Sequence, residues 1–201
     1  MVKEKISYSL RQKILKLLIE NKQKWTILEI AHALRVDYKN TFNAIEGLYP
    51  NLIFKEKKGN TNLIEIKLSS KIELFEVEIK RTLEFVGRNS DIKLIWEEIE
   101  RVNYPFASVL LFGSFVKGVE TKNSDIDICI ISDNEEKVKK IVSNLKILPY
   151  KIEVQYFTSD EFESMLNRKE NNVAKEIIEN NIILYGIESY YQLISRWMKK
   201  E

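Results

Sequence analysis

Two aspartates one residue apart offer the clearest chemistry in the sequence. Asp125 and Asp127 stand inside an apolar run that also contains Ile126, Ile128 and Ile130. Successive side chains of a strand alternate between faces, so the aspartates would share one face and the isoleucines the other. Their Cα atoms would lie about 7 Å apart. Two close carboxylates repel each other unless a cation offsets them, and Mg²⁺ prefers oxygen ligands. The pair therefore predicts a magnesium site.

A turn between an apolar run and a polar segment precedes the aspartates. Residues 109–112 form the short apolar run, which is consistent with a buried strand, and Gly113 and Ser114 follow it. A glycine lets the backbone approach a phosphate without an intervening side chain, and Ser114 adds a hydroxyl and an N–H. A helix that starts there would also favour phosphate. The alternative is a surface loop before a strand with two exposed aspartates, although aspartate is depleted in strands.

The spacing of these groups resembles a known family. Gly113-Ser114, ten residues and then Asp125-x-Asp127 is similar to the signature of the minimal nucleotidyltransferase branch of the DNA polymerase beta-like superfamily. The resemblance covers roughly the C-terminal half of the chain. It implies a nucleotide-binding role for Gly113, Ser114, Lys117 and Ser124, which stand where the family carries a glycine, a serine, a basic residue and a second serine. Lys117 can also be understood as a solvated loop lysine.

Members of this superfamily use a third carboxylate on a neighbouring strand. Glu153 is the acid inside the strand predicted over residues 151–157. The resemblance implies that Asp125, Asp127 and Glu153 hold two Mg²⁺ ions and that Glu153 helps to deprotonate an acceptor hydroxyl. The alternative is an edge-strand glutamate in water, and the sequence leaves both open.

The elements around these residues predict an α/β (α+β) domain over residues 89–201. Ile92, Ile95 and Ile99 give a helix from about residue 90 an apolar face, and a strand follows at 106–112. Beyond the aspartate strand we predict a helix at 135–148, a strand at 151–157, and helices near 160–168, 171–181 and 187–199. Together they predict a small mixed sheet with flanking helices.

Residues 1–68 have a different pattern, that of three short helices and a hairpin. A helix over 8–22 precedes a capping-box match at Thr26, and Asp37 can cap a third helix. Two strand-like runs near 52–54 and 63–66 flank a basic turn. This order resembles a winged helix-turn-helix module, joined by a predicted linker helix over 69–88. The resemblance implies DNA contacts from the third helix and the wing, at Tyr38, Lys39, Asn40, Asn43, Lys55, Lys57 and Lys58. A dimerisation or protein-binding platform is the alternative.

Composition limits the remaining possibilities. The chain has 201 residues and an uneven charge: residues 1–68 hold 13 Lys and Arg against 7 Asp and Glu, a net of +6, whereas the remainder carries −4. The basic part suggests an anionic partner. One histidine (His32) and one cysteine (Cys129) cannot build a usual zinc site. We find no apolar segment of the roughly 20 residues that a membrane span needs and no signal-peptide core, so we expect a cytoplasmic protein.

The sequence thus predicts a metal-dependent nucleotidyltransferase that moves a nucleoside monophosphate from an NTP, first of all ATP, to an acceptor hydroxyl. The winged helix would target it to DNA. Resemblance to the minimal branch implies that the acceptor could be a protein, such as a tyrosine of a HEPN-type toxin. The alternative is a DNA-binding transcription regulator that senses NTP or has lost catalysis. The sequence leaves open the acceptor, the nucleotide preference, catalytic activity and homodimerisation.

Overall fold

The computed structural model describes residues 6–121 and 124–198, and the chain divides into two compact units between Lys80 and Arg81. Each unit is described by itself below. Across the described ranges, no helix is both long enough and apolar enough to cross a membrane.

The first unit contains three short helices and a small antiparallel sheet. Within the described residues, the strand order of that sheet is β1-β3-β2. Its elements are α1 (Leu10–Glu20), β1 (Trp25–Thr26), α2 (Ile27–Leu34), α3 (Tyr38–Glu46), β2 (Ile53–Lys58), β3 (Thr61–Ile66) and the first part of α4 (Ile72–Arg88), which continues into the second unit.

Local sequence signals explain where these helices begin. Thr26 and Glu29 form the predicted capping box at the start of α2, and the Asp37 side chain accepts a hydrogen bond from the Asn40 N–H at the start of α3. Each cap satisfies backbone N–H groups that have no partner within the helix. Gly59 has a φ of +61° in the turn between β2 and β3, a conformation that favours glycine.

The second unit is a four-stranded mixed sheet with helices on its two faces. Among the described residues, the strand order is β6-β5-β4-β7; β4 is antiparallel to β5 and β7, and β5 is parallel to β6. After α4 come α5 (Ser90–Glu100), β4 (Ala107–Phe112), α6 (Ser114–Lys117), β5 (Ile126–Ser132), α7 (Glu135–Leu145), β6 (Ile152–Phe157), α8 (Ser159–Leu166), α9 (Val173–Glu179), β7 (Ile182–Tyr185) and α10 (Ile187–Met198).

The apolar face of β5 builds the core, as predicted. Ile126, Ile128 and Ile130 are buried in one cluster with residues of α5 and α7. Burial of such side chains stabilises the fold by roughly 1.5–3 kcal/mol each. The opposite face of the same strand therefore carries Asp127 and Cys129. The predicted α/β fold class with a small mixed sheet is confirmed.

The structure contains features that the sequence did not predict. Residues 182–185 form strand β7, which the sequence analysis did not predict, because a run of four apolar residues between helices has no decisive periodicity. In α3, the large apolar side chain of Phe42 is 37% exposed, whereas Thr41 and Ala44 are buried. The stacking of Tyr38 on Phe42, with ring centroids 6.4 Å apart, places both rings on the outer surface of this helix.

Two glycines allow a test of this packing. Gly186, between β7 and α10, has a φ of +72°, and a Cβ there would lie 1.9 Å from the Ala107 carbonyl oxygen. Gly186→Ala is therefore expected to lower the free energy of unfolding by about 2–4 kcal/mol in urea denaturation. A Cβ on Gly87 of α4 would meet nothing within 4 Å, so Gly87→Ala is the control and should stabilise by up to about 1 kcal/mol. Equal urea midpoints for the two variants would contradict the close packing of Gly186 against Ala107.

Candidate active site

Gly113 is required at its position for two independent reasons. It follows β4 with a φ of +72°, a region in which side chains are strained. A Cβ on this residue would lie only 1.9 Å from Oδ2 of Asp127. Any larger residue would thus displace the Asp127 carboxylate, so the turn after β4 and the acid on β5 are fitted to each other.

The strand register places two of the predicted acids side by side. Asp127 lies opposite Phe112, the last residue of β4, and it aligns with Glu153 of the parallel neighbour β6. Aligned residues of adjacent strands point to the same face of a sheet. Glu153 is exposed, since β6 is an edge strand. The structure therefore brings Asp127 and Glu153 onto one face, next to the Gly113 turn.

Burial and neighbouring carboxylates raise the pKa of Asp127. Burial has the largest effect, followed by the negative charges of Glu153, Glu176 and Asp125. The Lys117 ammonium acts in the opposite direction. Several like charges thus converge on one partly buried carboxylate, an arrangement common at functional sites.

Asp125 precedes β5 and has a different environment. The Nζ atom of Lys151 lies 3.0 Å from its Oδ1. The angles are not those of a hydrogen bond, and this buried oxygen accepts none from the described residues. Because Lys151 is 78% exposed, the ion pair is weak. Oδ1 of Asp125 is therefore a buried acceptor whose charge is offset only weakly by Lys151.

Lys117 lies at the end of the one-turn helix α6 and faces a cleft. Its Nζ donates a hydrogen bond to Oε1 of Glu176 in α9, at 2.7 Å. Both residues line a cleft of about 750 Å³ together with Gly113 and Asp127. The same cleft is lined by Phe112, Gln155, Asn171, Asn172, Val173, Lys175 and Glu179. The wall opposite the aspartate is thus formed by α9 and the residues just before it.

The two predicted serines lie at different places. Ser114 begins α6, directly after Gly113. The Ser124 hydroxyl accepts a hydrogen bond from the Thr121 N–H at 2.9 Å and lines a second cleft, of about 660 Å³, with Thr121 and Lys151. Ser114 is therefore next to the Gly113 turn without being one of the residues that line the Asp127 cleft, and Ser124 lies in the neighbouring cleft.

Sequence reasoning missed the residues that α9 contributes. The sequence places three of them in a predicted helix that has no distinguishing pattern: Asn172, Lys175 and Glu176. Only their position across the cleft from Lys117 shows that they belong to the site. Cys129 lies on the face of β5 that carries Asp127, because side chains alternate along a strand. It is buried, and burial raises the pKa of its thiol, so a thiolate role is disfavoured.

The donor atoms suit Mg²⁺ only in part. Within residues 6–121 and 124–198, no three His, Cys, Asp or Glu side chains are close enough together to hold a metal ion by themselves. Mg²⁺, however, is usually held by one or two carboxylates, with water and substrate phosphates completing its shell. Asp127, with its raised pKa, and the hydrogen-bond-free oxygen of Asp125 are groups that a cation would stabilise. The residues fit an ion that arrives with a phosphate ligand.

The cleft, the Gly-Ser turn beside it and the Asp127 carboxylate agree with a comparison to known families. Residues 92–185 match the family model for the nucleotidyltransferase domain. The match includes all four strands of the second sheet, and it confirms the predicted resemblance for this part of the chain. No curated protein and no solved structure shows significant similarity to the chain. The winged helix-turn-helix stays a prediction.

The predicted DNA-contacting residues of the first unit differ in whether their side chains already have partners. Tyr38, Lys39, Asn40 and Asn43 are exposed on α3. The side-chain amide of Asn40, however, donates to Oδ2 of Asp37 at 2.6 Å.

The wing lysines differ from one another in the same way. Lys55 forms an ion pair with Glu46 and lies over the rings of Phe42 and Tyr49. Lys57 and Lys58 are exposed on β2. Asn40 and Lys55 would thus have to leave existing partners to contact a nucleic acid.

The raised pKa of Asp127 predicts a pH-dependent stability. The raised pKa means that Asp127 contributes fully to the free energy of unfolding below the unfolded-state pKa of about 3.9. This contribution is lost as the pH rises through the folded-state pKa. Asp127→Asn should therefore raise the urea midpoint at pH 7 in EDTA, with a gain that shrinks toward pH 3.5.

Asp37 provides a control of opposite sign, because hydrogen bonds from the α3 N-terminus lower its pKa. Asp37→Asn should reduce stability at pH 7, and the loss should shrink toward acid pH. A gain for Asp127→Asn that does not depend on pH would contradict the electrostatic account of the site.

Proposed function

We propose that the nucleotidyltransferase domain transfers a nucleoside monophosphate from an NTP, with ATP as the first candidate, to an acceptor hydroxyl. The observation that supports this most is the register that aligns Asp127 with Glu153 beside the Gly113 turn. Phosphoryl-type transfer needs positioning and charge neutralisation more than covalent help from the protein.

The roles of the residues follow from their places. Gly113 lets the triphosphate approach the backbone, Ser114 offers a hydroxyl and an N–H, and Lys117 offers a positive charge. Ser124 would act from the neighbouring cleft. Asp125, Asp127 and Glu153 would hold Mg²⁺, with two ions expected from the resemblance. When bound, Mg²⁺ supplies charge neutralisation at the phosphate oxygens and orients them.

The reaction conserves atoms and charge as follows. The acceptor hydroxyl oxygen forms a bond to the α-phosphorus, and the bond from that phosphorus to the bridging oxygen breaks. Pyrophosphate leaves with the bonding electron pair, and the hydroxyl proton passes to the Glu153 carboxylate. Glu153 is suited to receive it because it is exposed at the edge of the sheet, where an acceptor from solution can approach.

A protein hydroxyl is the acceptor we favour. The resemblance to the minimal branch points to a tyrosine of a partner protein, such as a HEPN-type toxin. Glu153 at the sheet edge is consistent with a large acceptor, since access does not require entry into a closed cavity.

A second candidate is an NTP-sensing regulator that does not catalyse transfer. It is favoured by the lack of a three-carboxylate cluster among the described residues. In this case the same cleft would bind the nucleotide, and the bound nucleotide would regulate the first unit.

The first unit is proposed to bind duplex DNA. Support comes from its three helices, its β2-β3 hairpin and the exposed side chains of Tyr38, Lys39, Asn43, Lys57 and Lys58. Lysines mainly contact phosphates, whereas asparagine can pair with adenine. A protein-binding or dimerisation surface is the alternative use of the same unit.

The transferase proposal predicts different effects for different acids. Asp125→Asn with Asp127→Asn should weaken Mg²⁺-dependent ATP binding at least tenfold in isothermal titration calorimetry. Glu153→Gln should keep ATP affinity within about threefold but lower pyrophosphate release, with cell extract as the acceptor source, by about 10²-fold or more. The control is Glu136→Gln on the exposed surface of α7, which should match the wild type.

Two outcomes would contradict the transferase proposal. Unchanged ATP affinity in the double variant would exclude the aspartates as the metal site. ATP binding by the wild type without pyrophosphate release from any extract would favour the regulator.

The DNA-binding proposal predicts a steep salt dependence. The affinity of the chain for a labelled duplex, measured by fluorescence anisotropy between 50 and 200 mM salt, should fall on a log–log slope of about −0.9 per phosphate contact. Lys57→Ala with Lys58→Ala should make that slope shallower by about 2. Lys139→Ala with Lys140→Ala, which removes two exposed lysines of α7, is the matched control. A flat salt response of the wild type would contradict DNA binding.

A further inference from the structure

One contact in the cleft has no role in the proposed reaction. The Lys117 ammonium of α6 donates to the Glu176 carboxylate of α9 at 2.7 Å, across 59 positions in the chain. Both side chains line the same cleft as Gly113 and Asp127. The pair therefore spans the space in which the reactive phosphates would lie.

The pair also changes the charge balance around Asp127. Lys117 is the cation whose field opposes the raised pKa of that carboxylate, while Glu176 adds to the rise. The Glu176 carboxylate thus neutralises part of the positive charge with which Lys117 would otherwise offset the carboxylates around Asp127.

The exposure of the pair makes an exchange of partners easy. The Lys117 and Glu176 side chains are 41% and 42% exposed, respectively. Ion pairs with this much contact with water contribute little to stability. A triphosphate carries several negative charges and presents many acceptor oxygens, and lysine can follow it because its ammonium is a point charge on a flexible stem.

We propose that Glu176 occupies, in the nucleotide-free protein, the place of the phosphate that Lys117 contacts, and that the triphosphate of an incoming nucleotide displaces it. This inference rests on the proposed function of the cleft. Glu176 is then a positioning residue, which keeps Lys117 directed into the cleft and sets the charge that a ligand must carry to take its place.

The proposal predicts a change in nucleotide affinity of opposite sign from that expected if Glu176 held a metal ion or the acceptor. Displacement of Glu176 opposes nucleotide binding, so Glu176→Gln should tighten binding of Mg²⁺-ATP by about three- to fivefold. If Glu176 instead held a metal ion or the acceptor, the same substitution would weaken binding or leave it unchanged. Inorganic pyrophosphate should show the same tightening as ATP, because the effect acts on the phosphates.

The experiment is a double-mutant cycle measured by isothermal titration calorimetry on the full chain. It uses wild type, Glu176→Gln, Lys117→Met and the double variant, with Mg²⁺-ATP and pyrophosphate as probes. Glu179→Gln is the control, because it removes the same charge from another residue of the same helix that lines the same cleft, about one turn away. In the Lys117→Met background, the gain from Glu176→Gln should fall to the level of that control.

The outcomes separate this inference from the proposed function. Equal or weaker ATP binding by Glu176→Gln, or an undiminished gain in the Lys117→Met background, would overturn the displacement while leaving the nucleotide site intact. A failure of both wild type and Glu176→Gln to bind Mg²⁺-ATP, with circular dichroism showing folded protein, would overturn the nucleotide site and the displacement together. Tight binding of Mg²⁺-ATP by Glu176→Gln but not by the wild type would strongly support the displacement.

Discussion

The close approach of the Asp127 carboxylate to the backbone of Gly113 is the constraint on which the site depends. A single Cβ at residue 113 would overlap Oδ2 of Asp127, and the φ of +72° excludes an easy rearrangement. The end of β4 and the start of β5 are therefore fixed relative to each other at the point where the cleft opens. Because α6 directly follows this turn, the turn also fixes the direction in which the side chains of α6 point.

Electrostatic repulsion between carboxylates also shapes the site in the second unit. The sheet holds Asp127 beside Glu153, with Asp125 and Glu176 near enough to affect the Asp127 pKa. Apolar packing on the opposite face of β5, by Ile126, Ile128 and Ile130, keeps the strand in place despite this repulsion. Such an arrangement stores unfavourable energy that a cationic partner would relieve, as is typical of sites that bind ions or phosphates.

The sequence carried enough information for the local part of the site. The alternation of aspartates and isoleucines, the Gly-Ser turn and the capping residues Thr26 and Asp37 each act over a few positions, and the structure contains the elements they predict. The fold class and the nucleotidyltransferase resemblance of residues 92–185 could be predicted on the same basis.

Long-range pairing could not be predicted in the same way. The Lys117–Glu176 contact joins positions 59 residues apart, and the partnership of β4 with β7 depends on a four-residue run that periodicity cannot classify. The exposure of Phe42 depends on how α3 is rotated against its unit, which its mixed apolar pattern did not determine.

The edge position of β6 has a consequence for how this protein could change over time. Glu153 has a neighbouring strand on one side only and is exposed, so its replacement would disturb little packing. Asp127, by contrast, is enclosed between β4 and β6 and fitted to Gly113. A single substitution at the edge could thus separate a transferring from a merely binding form at almost no cost in folding, whereas the fit to Gly113 limits position 127 to side chains of about the size of aspartate.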